Sequence, residues 1–241
     1  MERHFDEQLR ELLRRLVAMG ALAEAMIERA LRSLVERKGE LHAEVYAKEE
    51  EVNALQIAVD EEAITLTALH QPVGTDLRFL FMVPRITAEL ERIADQAVNI
   101  CQNTGSLLKA PPLKPLVDLP IMAEVVRGMV RRGIDALVNR DVAALEQVFE
   151  DEKRVDAFRD QIFRELLTYM MSDPGSIQRA LALILISRNL EKIGDHVTNI
   201  AEEVIYLVQG RDVRHHHEEK ERSDPPEGAE PTVSDGDFTR T

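Results

Sequence analysis

Cysteine occurs once, at Cys101, so no intramolecular disulfide can form, and such sparing use suits a reducing compartment. Tryptophan is absent and aromatic residues reach only 4% of 241 positions, so the core must be packed from Leu, Ile, Val and Ala, as helices pack. No apolar run approaches the roughly 20 residues that span a bilayer. The N-terminus MERHFDEQLRELLRR is charged from its second residue, and the chain reads as soluble, not exported and cytoplasmic. Positive charge is also in deficit: 30 Lys and Arg face 44 Asp and Glu, for a formal net charge of −14. That balance disfavours nucleic acid and anionic lipid, and favours cations or a basic partner.

An internal repeat is what the chain does have. Glu91-Arg92-Ile93-Ala94-Asp95-Gln96-Ala97-Val98-Asn99-Ile100 returns 100 positions later as Glu191-Lys192-Ile193-Gly194-Asp195-His196-Val197-Thr198-Asn199-Ile200. In both copies a carboxylate, a second carboxylate and an amide recur every fourth residue, which on a helix sets them in one slowly drifting stripe. A repeat of this kind fixes the architecture before any other consideration.

With 44% apolar residues the chain can bury one large core or two small ones, and the repeat favours two similar halves. Apolar residues from Leu9 to Leu34 step at three and four, predicting an amphipathic helix over about 5–34 that ends before Gly39. A second helix is expected from near Glu40 to Leu69, stopped by His70-Gln71-Pro72-Val73-Gly74. Thr75 or Asp76 is the expected cap of a third, running to about Leu108 with Pro84 inside it. The Pro-rich segment 111–120 reads as a non-helical linker between the halves. Helices over about 121–138, from a cap at Asp141 to about 171, and from a cap at Ser176 to Gly210 repeat the plan. The expected fold is all-α, two tandem antiparallel three-helix bundles over 1–110 and 121–210, followed by a disordered tail at 211–241.

The second helix of each half carries a further spaced pair, Glu49 with Asn53 and Glu152 with Asp156, 103 positions apart. Residues facing each other across an antiparallel hairpin have positions that sum to a constant. Pairing Glu49 with Asp95 and Asn53 with Glu91 centres the first hairpin on Pro72; pairing Glu152 with Asp195 and Asp156 with Glu191 centres the second on Asp173-Pro174. Both centres fall on turn signals found without reference to the acids. At about 100° per residue, Leu90, Ile93 and Ala97, and likewise Leu190, Ile193 and Val197, lie opposite the acids, which therefore line an outer surface.

A solvated face accounts for most isolated Glu-x-x-x-Asp spacings. Like charges at that spacing destabilise a helix by ~0.2–0.5 kcal/mol per pair, however, and repeating them across both hairpins calls for an offsetting partner. Arg85, Arg92, Arg188 and Lys192 can supply part of it. A hard or borderline cation, such as Mg²⁺, Mn²⁺ or iron, supplies it better, since carboxylates and an amide give an oxygen-rich ligand set.

At LERIADQAVNI and LEKIGDHVTNI the chain resembles the PhoU family of phosphate-uptake regulators, over about 5–209 and including Asp76-Leu77-Arg78. The resemblance implies multinuclear metal clusters, of iron, zinc, manganese or magnesium, on the bundle surfaces. Their ligands would be Glu49, Glu91 and Asp95 in the first half and Glu152, Asp156, Glu191 and Asp195 in the second. Asn53 departs from the acidic pattern, which implies fewer or weaker ions at the first site; Asn99 and Asn199 match the extended motif as ligands or supporting groups. The resemblance further implies a non-enzymatic, homodimeric cytosolic adaptor that couples the ATPase subunit of a phosphate ABC transporter to a membrane sensor histidine kinase and restrains uptake. Metal on the acidic faces would offset charge and permit docking.

Two rival readings remain at this point. A ferritin-like dinuclear enzyme would need Glu-x-x-His pairs pointing into a bundle core, and no such spacing occurs in the chain. A metal-free helical scaffold would use the acidic surface alone. His70, Cys101 and His196 have no counterpart in the other half and read as packing or surface residues, and His215-His216-His217 lies outside the repeat.

Overall fold

The structure, a computed structural model, describes residues 2–213; the expected tail beyond 213, with its three histidines, lies outside them. Six long helices follow in order: α1 (Glu2–Val35), α2 (Leu41–His70), α3 (Gly74–Leu107), α4 (Asp118–Asn139), α5 (Glu146–Ser172) and α6 (Ile177–Gln209). Among the described residues there is no strand, and no helix is long and apolar enough to cross a membrane. The predicted stripe of α1 is buried, with Leu12, Leu16, Met19, Ala23, Met26, Ile27 and Ala30 fully sequestered. Burial of this stripe, more than intrinsic propensity, holds such a helix.

Helices α1–α3 and α4–α6 each form an antiparallel three-helix bundle, and the two bundles meet where α1 packs on α4 and α3 on α6. Arg127 of α4 reaches Glu24 and Glu28 of α1 at 3.2 and 3.3 Å, while Arg85 of α3 reaches Glu203 of α6 at 3.2 Å. Both pairings are antiparallel. Buried apolar residues of all six helices join in one continuous core, so the alternative of two separate small cores does not hold. Gly20 lets α1 and α4 approach: a Cβ there would stand 2.7 Å from Ile134 Cγ1.

Several termini differ from the sequence expectations. α1 ends through Arg37, which takes a left-handed conformation (φ 56°) while Lys38 N donates to Ser33 O at 3.0 Å, so Gly39 is not the stop. Arg37 Nη2 also donates to the carbonyls of Leu108 and Ala110 at 3.1 and 2.7 Å, closing the end of α3. α3 starts at Gly74 without a side-chain cap, placing Thr75 and Asp76 inside its first turn, and it continues through Pro84. α4 already includes Asp118-Leu119-Pro120, because the first turn has no internal use for the N–H that proline lacks. Asp141 does cap, accepting from Ala143 N at 3.0 Å and Ala144 N at 3.3 Å, but the capped element is a short 3₁₀ turn before α5. Asp173 accepts from Gly175 N at 2.8 Å ahead of α6, and Ser176 makes no cap hydrogen bond. Gly210 (φ 68°) ends α6 as expected.

Replacing Gly20 with Leu should force α1 from α4 and cost about 1–3 kcal/mol by overpacking, outweighing the gain of up to about 1 kcal/mol that removing a mid-helix glycine brings. Thermal unfolding of the purified chain checks this: a lowered midpoint is expected, and a raised one would mean that the helices are not in contact at Gly20.

Candidate metal-binding faces

On the first hairpin, Glu49 and Asn53 stand one turn apart on α2, and Asn53 Nδ2 donates to Glu49 Oε1 at 2.9 Å. Glu91 and Asp95 come from α3. Glu91 is half-buried and Asp95 exposed, and both carboxyls titrate above their ordinary range. For Glu91, partial desolvation leads and the charges of Asp95 and Glu49 add to it, with Arg92 opposing; for Asp95, desolvation leads and Glu49 follows. The hairpin register thus brings Glu49 within electrostatic reach of both acids on the facing helix. Asn53 Oδ1 is buried and receives no hydrogen bond from any described residue.

On the second hairpin, half-buried Glu152 of α5 faces Asp195 of α6. Desolvation first, then the charges of Asp195 and Asp156, push Glu152 up to about 7, while Thr198 Oγ1, 3.5 Å from its Oε1, pulls weakly the other way. Asp195 is raised by partial desolvation and then by Glu191 and Asp156. Asp156 and Glu191, the remaining facing pair, are bridged by a cation. Arg159 Nη1 donates to Asp156 Oδ1 at 2.9 Å and to Glu191 Oε1 at 2.7 Å.

Arg159 escaped the sequence reading, although its place three residues after Asp156, on the same helical face, was the available signal. Of the offset expected from Arg85 and Arg92, Arg85 goes elsewhere, to Glu203 at 3.2 Å, while Arg92 pairs with Glu89 at 3.1 Å and acts on Glu91 through its charge alone. Glu89 was also missed, and it gathers a polar seam between α3 and α6. His196 Nδ1 lies 2.7 Å from Glu89 Oε2, and Asn199 Nδ2 donates to the same oxygen at 3.2 Å. Burial raises Glu89, but the bonds from His196 and Asn199 and the nearby charges of His196 and Arg92 outweigh it and hold the carboxyl below its usual range. His196 is therefore an interface residue, and Asn199 serves the seam. Asn99 is half-buried and its carbonyl accepts from Asn103 Nδ2 at 2.8 Å. Cys101 is buried, which pushes its thiol up to about 12 and leaves it inert at neutral pH.

The donor set suits a hard or borderline cation: the first face offers three carboxylates and an amide oxygen without a hydrogen-bond donor. Among the described residues no three His, Cys, Asp or Glu side chains converge closely enough to hold an ion as placed. An ion bound at either face would therefore need the carboxylates to draw in.

A carboxyl raised in the folded state makes the chain less stable as pH climbs from the ordinary carboxylate range, near 4.5, through about 7, because the folded form holds a proton that the unfolded form has released. After allowance for solvent screening the effect of Glu152 is on the order of 1 kcal/mol. In chelator, Glu152→Gln should raise the thermal midpoint at pH 8 by about 2–4 °C and leave it unchanged near pH 4.5. An equal shift at both pH values would show that Glu152 is not held protonated by its neighbours.

A sequence model described as the PhoU domain matches the chain twice, over residues 16–104 and 119–204. A curated relative from Pseudomonas putida, named as a phosphate-specific transport system accessory protein PhoU homolog, is 37% identical over 89% of this chain and 84% of its own length. A second such homolog, from Thermotoga maritima, is 34% identical over 91% of this chain and 93% of its length. The crystal structure of PhoU from Pseudomonas aeruginosa superposes with a TM-score of 0.82 at 34% identity, covering 86% of this chain and all of that one. PhoU from Streptococcus pneumoniae, at 24% identity and a TM-score of 0.79, shares the fold. Two matched domains, relatives above 30% identity along most of the chain and the shared six-helix architecture show that the chain belongs to the PhoU family.

Proposed function

We propose that the chain is a regulator of phosphate uptake that carries metal ions on its two acidic faces. The names of its relatives, accessory proteins of a phosphate-specific transport system, support the phosphate half of this reading. The metal half rests on one observation: both hairpins, built to the same plan, set carboxylates from two helices against one another. In the proposed scheme the chain works in the cytoplasm as a homodimer, between the ATPase subunit of the phosphate ABC transporter and a membrane sensor histidine kinase, and it restrains uptake and the starvation response. Its role is binding, not catalysis.

Glu49, Glu91 and Asp95 would hold an ion in the first half, with Asn53 Oδ1 as the neutral oxygen. Glu152, Asp156, Glu191 and Asp195 would do so in the second, with Thr198 steadying Glu152. Iron, zinc, manganese and magnesium all accept such oxygens, and when bound they supply the positive charge that lets a crowded acidic face approach a partner. Without an ion, each face meets a partner as a cluster of partly desolvated carboxylates. A metal-free scaffold remains the second reading, favoured by Arg159, which already neutralises part of one face.

Elemental analysis of the purified chain should find at least one of these metals, and chelation should weaken its capture of the transporter ATPase subunit by about tenfold or more. Glu191→Gln with Asp195→Asn should lower metal content while leaving the helical circular dichroism intact. Undiminished capture after complete chelation would favour the scaffold reading.

A further inference from the structure

The two acidic faces differ at positions that change together. Asp156 in the second half corresponds to Asn53 in the first, and three residues on, at the same 103-residue offset, Arg159 corresponds to Gln56. The additional carboxylate is matched by an additional guanidinium, so with Arg159 counted each constellation carries the same formal charge of −3. The next position departs too, Asp160 corresponding to Ile57. An ordinary ion pair within one helix would account for Arg159 with Asp156. It does not account for Nη1 also reaching Glu191 of the facing helix at 2.7 Å, between two residues of the candidate site. The rest of the guanidinium is held outside the site, since Nε and Nη2 both donate to Asp160 Oδ1, at 3.0 and 2.9 Å.

We propose that Arg159 is a tethered cation that fills the second acidic face and must be displaced before an inorganic ion binds there, so that the first face, with Gln56 in its place, fills first. This rests on the metal reading above and deepens it. The family resemblance, through Asn53, implies that the first face is the weaker; Arg159 reverses that order. Displacement needs no unfolding. The Arg159 side chain is 30% exposed, and because its guanidinium is one rigid plane it leaves as a unit. It swings outward toward solvent together with the exposed Asp160 side chain that holds Nε and Nη2, which carries Nη1 off Asp156 and Glu191. Leaving Nη1 in place would put a unit positive charge a few ångströms from an incoming divalent ion, a repulsion that costs about tenfold in affinity even when largely screened by water. The device makes metal occupancy graded: one face responds at low ion concentration and the other only once an ion outcompetes the arginine.

Titration of the full chain with Mn²⁺ alone, reading free ion by electron paramagnetic resonance, tests this. The wild type should show a tight and a weak class of site. In a Glu91→Gln background, which disables the first face, Arg159→Gln should tighten binding by about tenfold or more. In the otherwise wild-type chain, Gln56→Arg should weaken the tight class by a similar factor. Thermal unfolding establishes that each variant is folded; if Arg159→Gln fails to fold, Gln56→Arg decides, and an unchanged tight class overturns the proposal. Binding by the Glu91→Gln chain that is unchanged or weakened by Arg159→Gln overturns it while leaving the metal reading standing. Absence of Mn²⁺ binding to both the wild type and Arg159→Gln overturns the metal reading and this inference together.

Discussion

Carboxylates set against each other across a helical hairpin repel, and much of this molecule can be understood from how that repulsion is held in place. Glu152 shows the consequence most plainly: partial desolvation and two acidic neighbours leave it ready to take a proton near neutrality. Glu91, Asp95 and Asp195 are shifted in the same direction by the same causes. A group in this condition can take a proton, recruit a cation or draw on a cation already in the chain. Asp156 and Glu191 take the last course through Arg159.

The register that sets these carboxylates on facing positions depends on the frame beneath it. The frame is a single apolar core running through all six helices, reinforced where α1 meets α4 and α3 meets α6. The α3 to α6 contact, like that of α1 with α4, is polar along part of its length, with Glu89, His196 and Asn199 in one hydrogen-bonded group and Arg85 with Glu203 beyond it. Glu91 and Asp95 lie on the same helix as Glu89, and Asp195 sits next to His196, so the seam and the acidic faces share their backbone. Antiparallel contacts of α1 with α4 and of α3 with α6 give the two halves their pseudo-twofold relation.

The fold was largely legible from sequence because helices report themselves through periodicity, and here the period, the turn signals and the repeat agree. The hairpin registers were legible for the same reason: Pro72 and Asp173-Pro174 fix the turns, and facing positions follow by counting. Helix ends were less so. Arg37 in a left-handed conformation and Pro120 inside a first turn are local solutions that tertiary contacts permit and propensity does not announce. What the sequence hid at the site was long-range pairing by long side chains. Nothing in local spacing places Arg159 Nη1 between two helices, or closes His196 and Asn199 of the other half on Glu89.

The central claim is that the two carboxylate clusters are cation sites. Anomalous X-ray scattering from crystals of the full chain grown with Mn²⁺ tests it most directly. The account predicts peaks among Glu49, Glu91 and Asp95 and among Glu152, Asp156, Glu191 and Asp195, each at oxygen-ligand distance. Ordered carboxylates in both clusters with no peak between them, at saturating Mn²⁺, would contradict it.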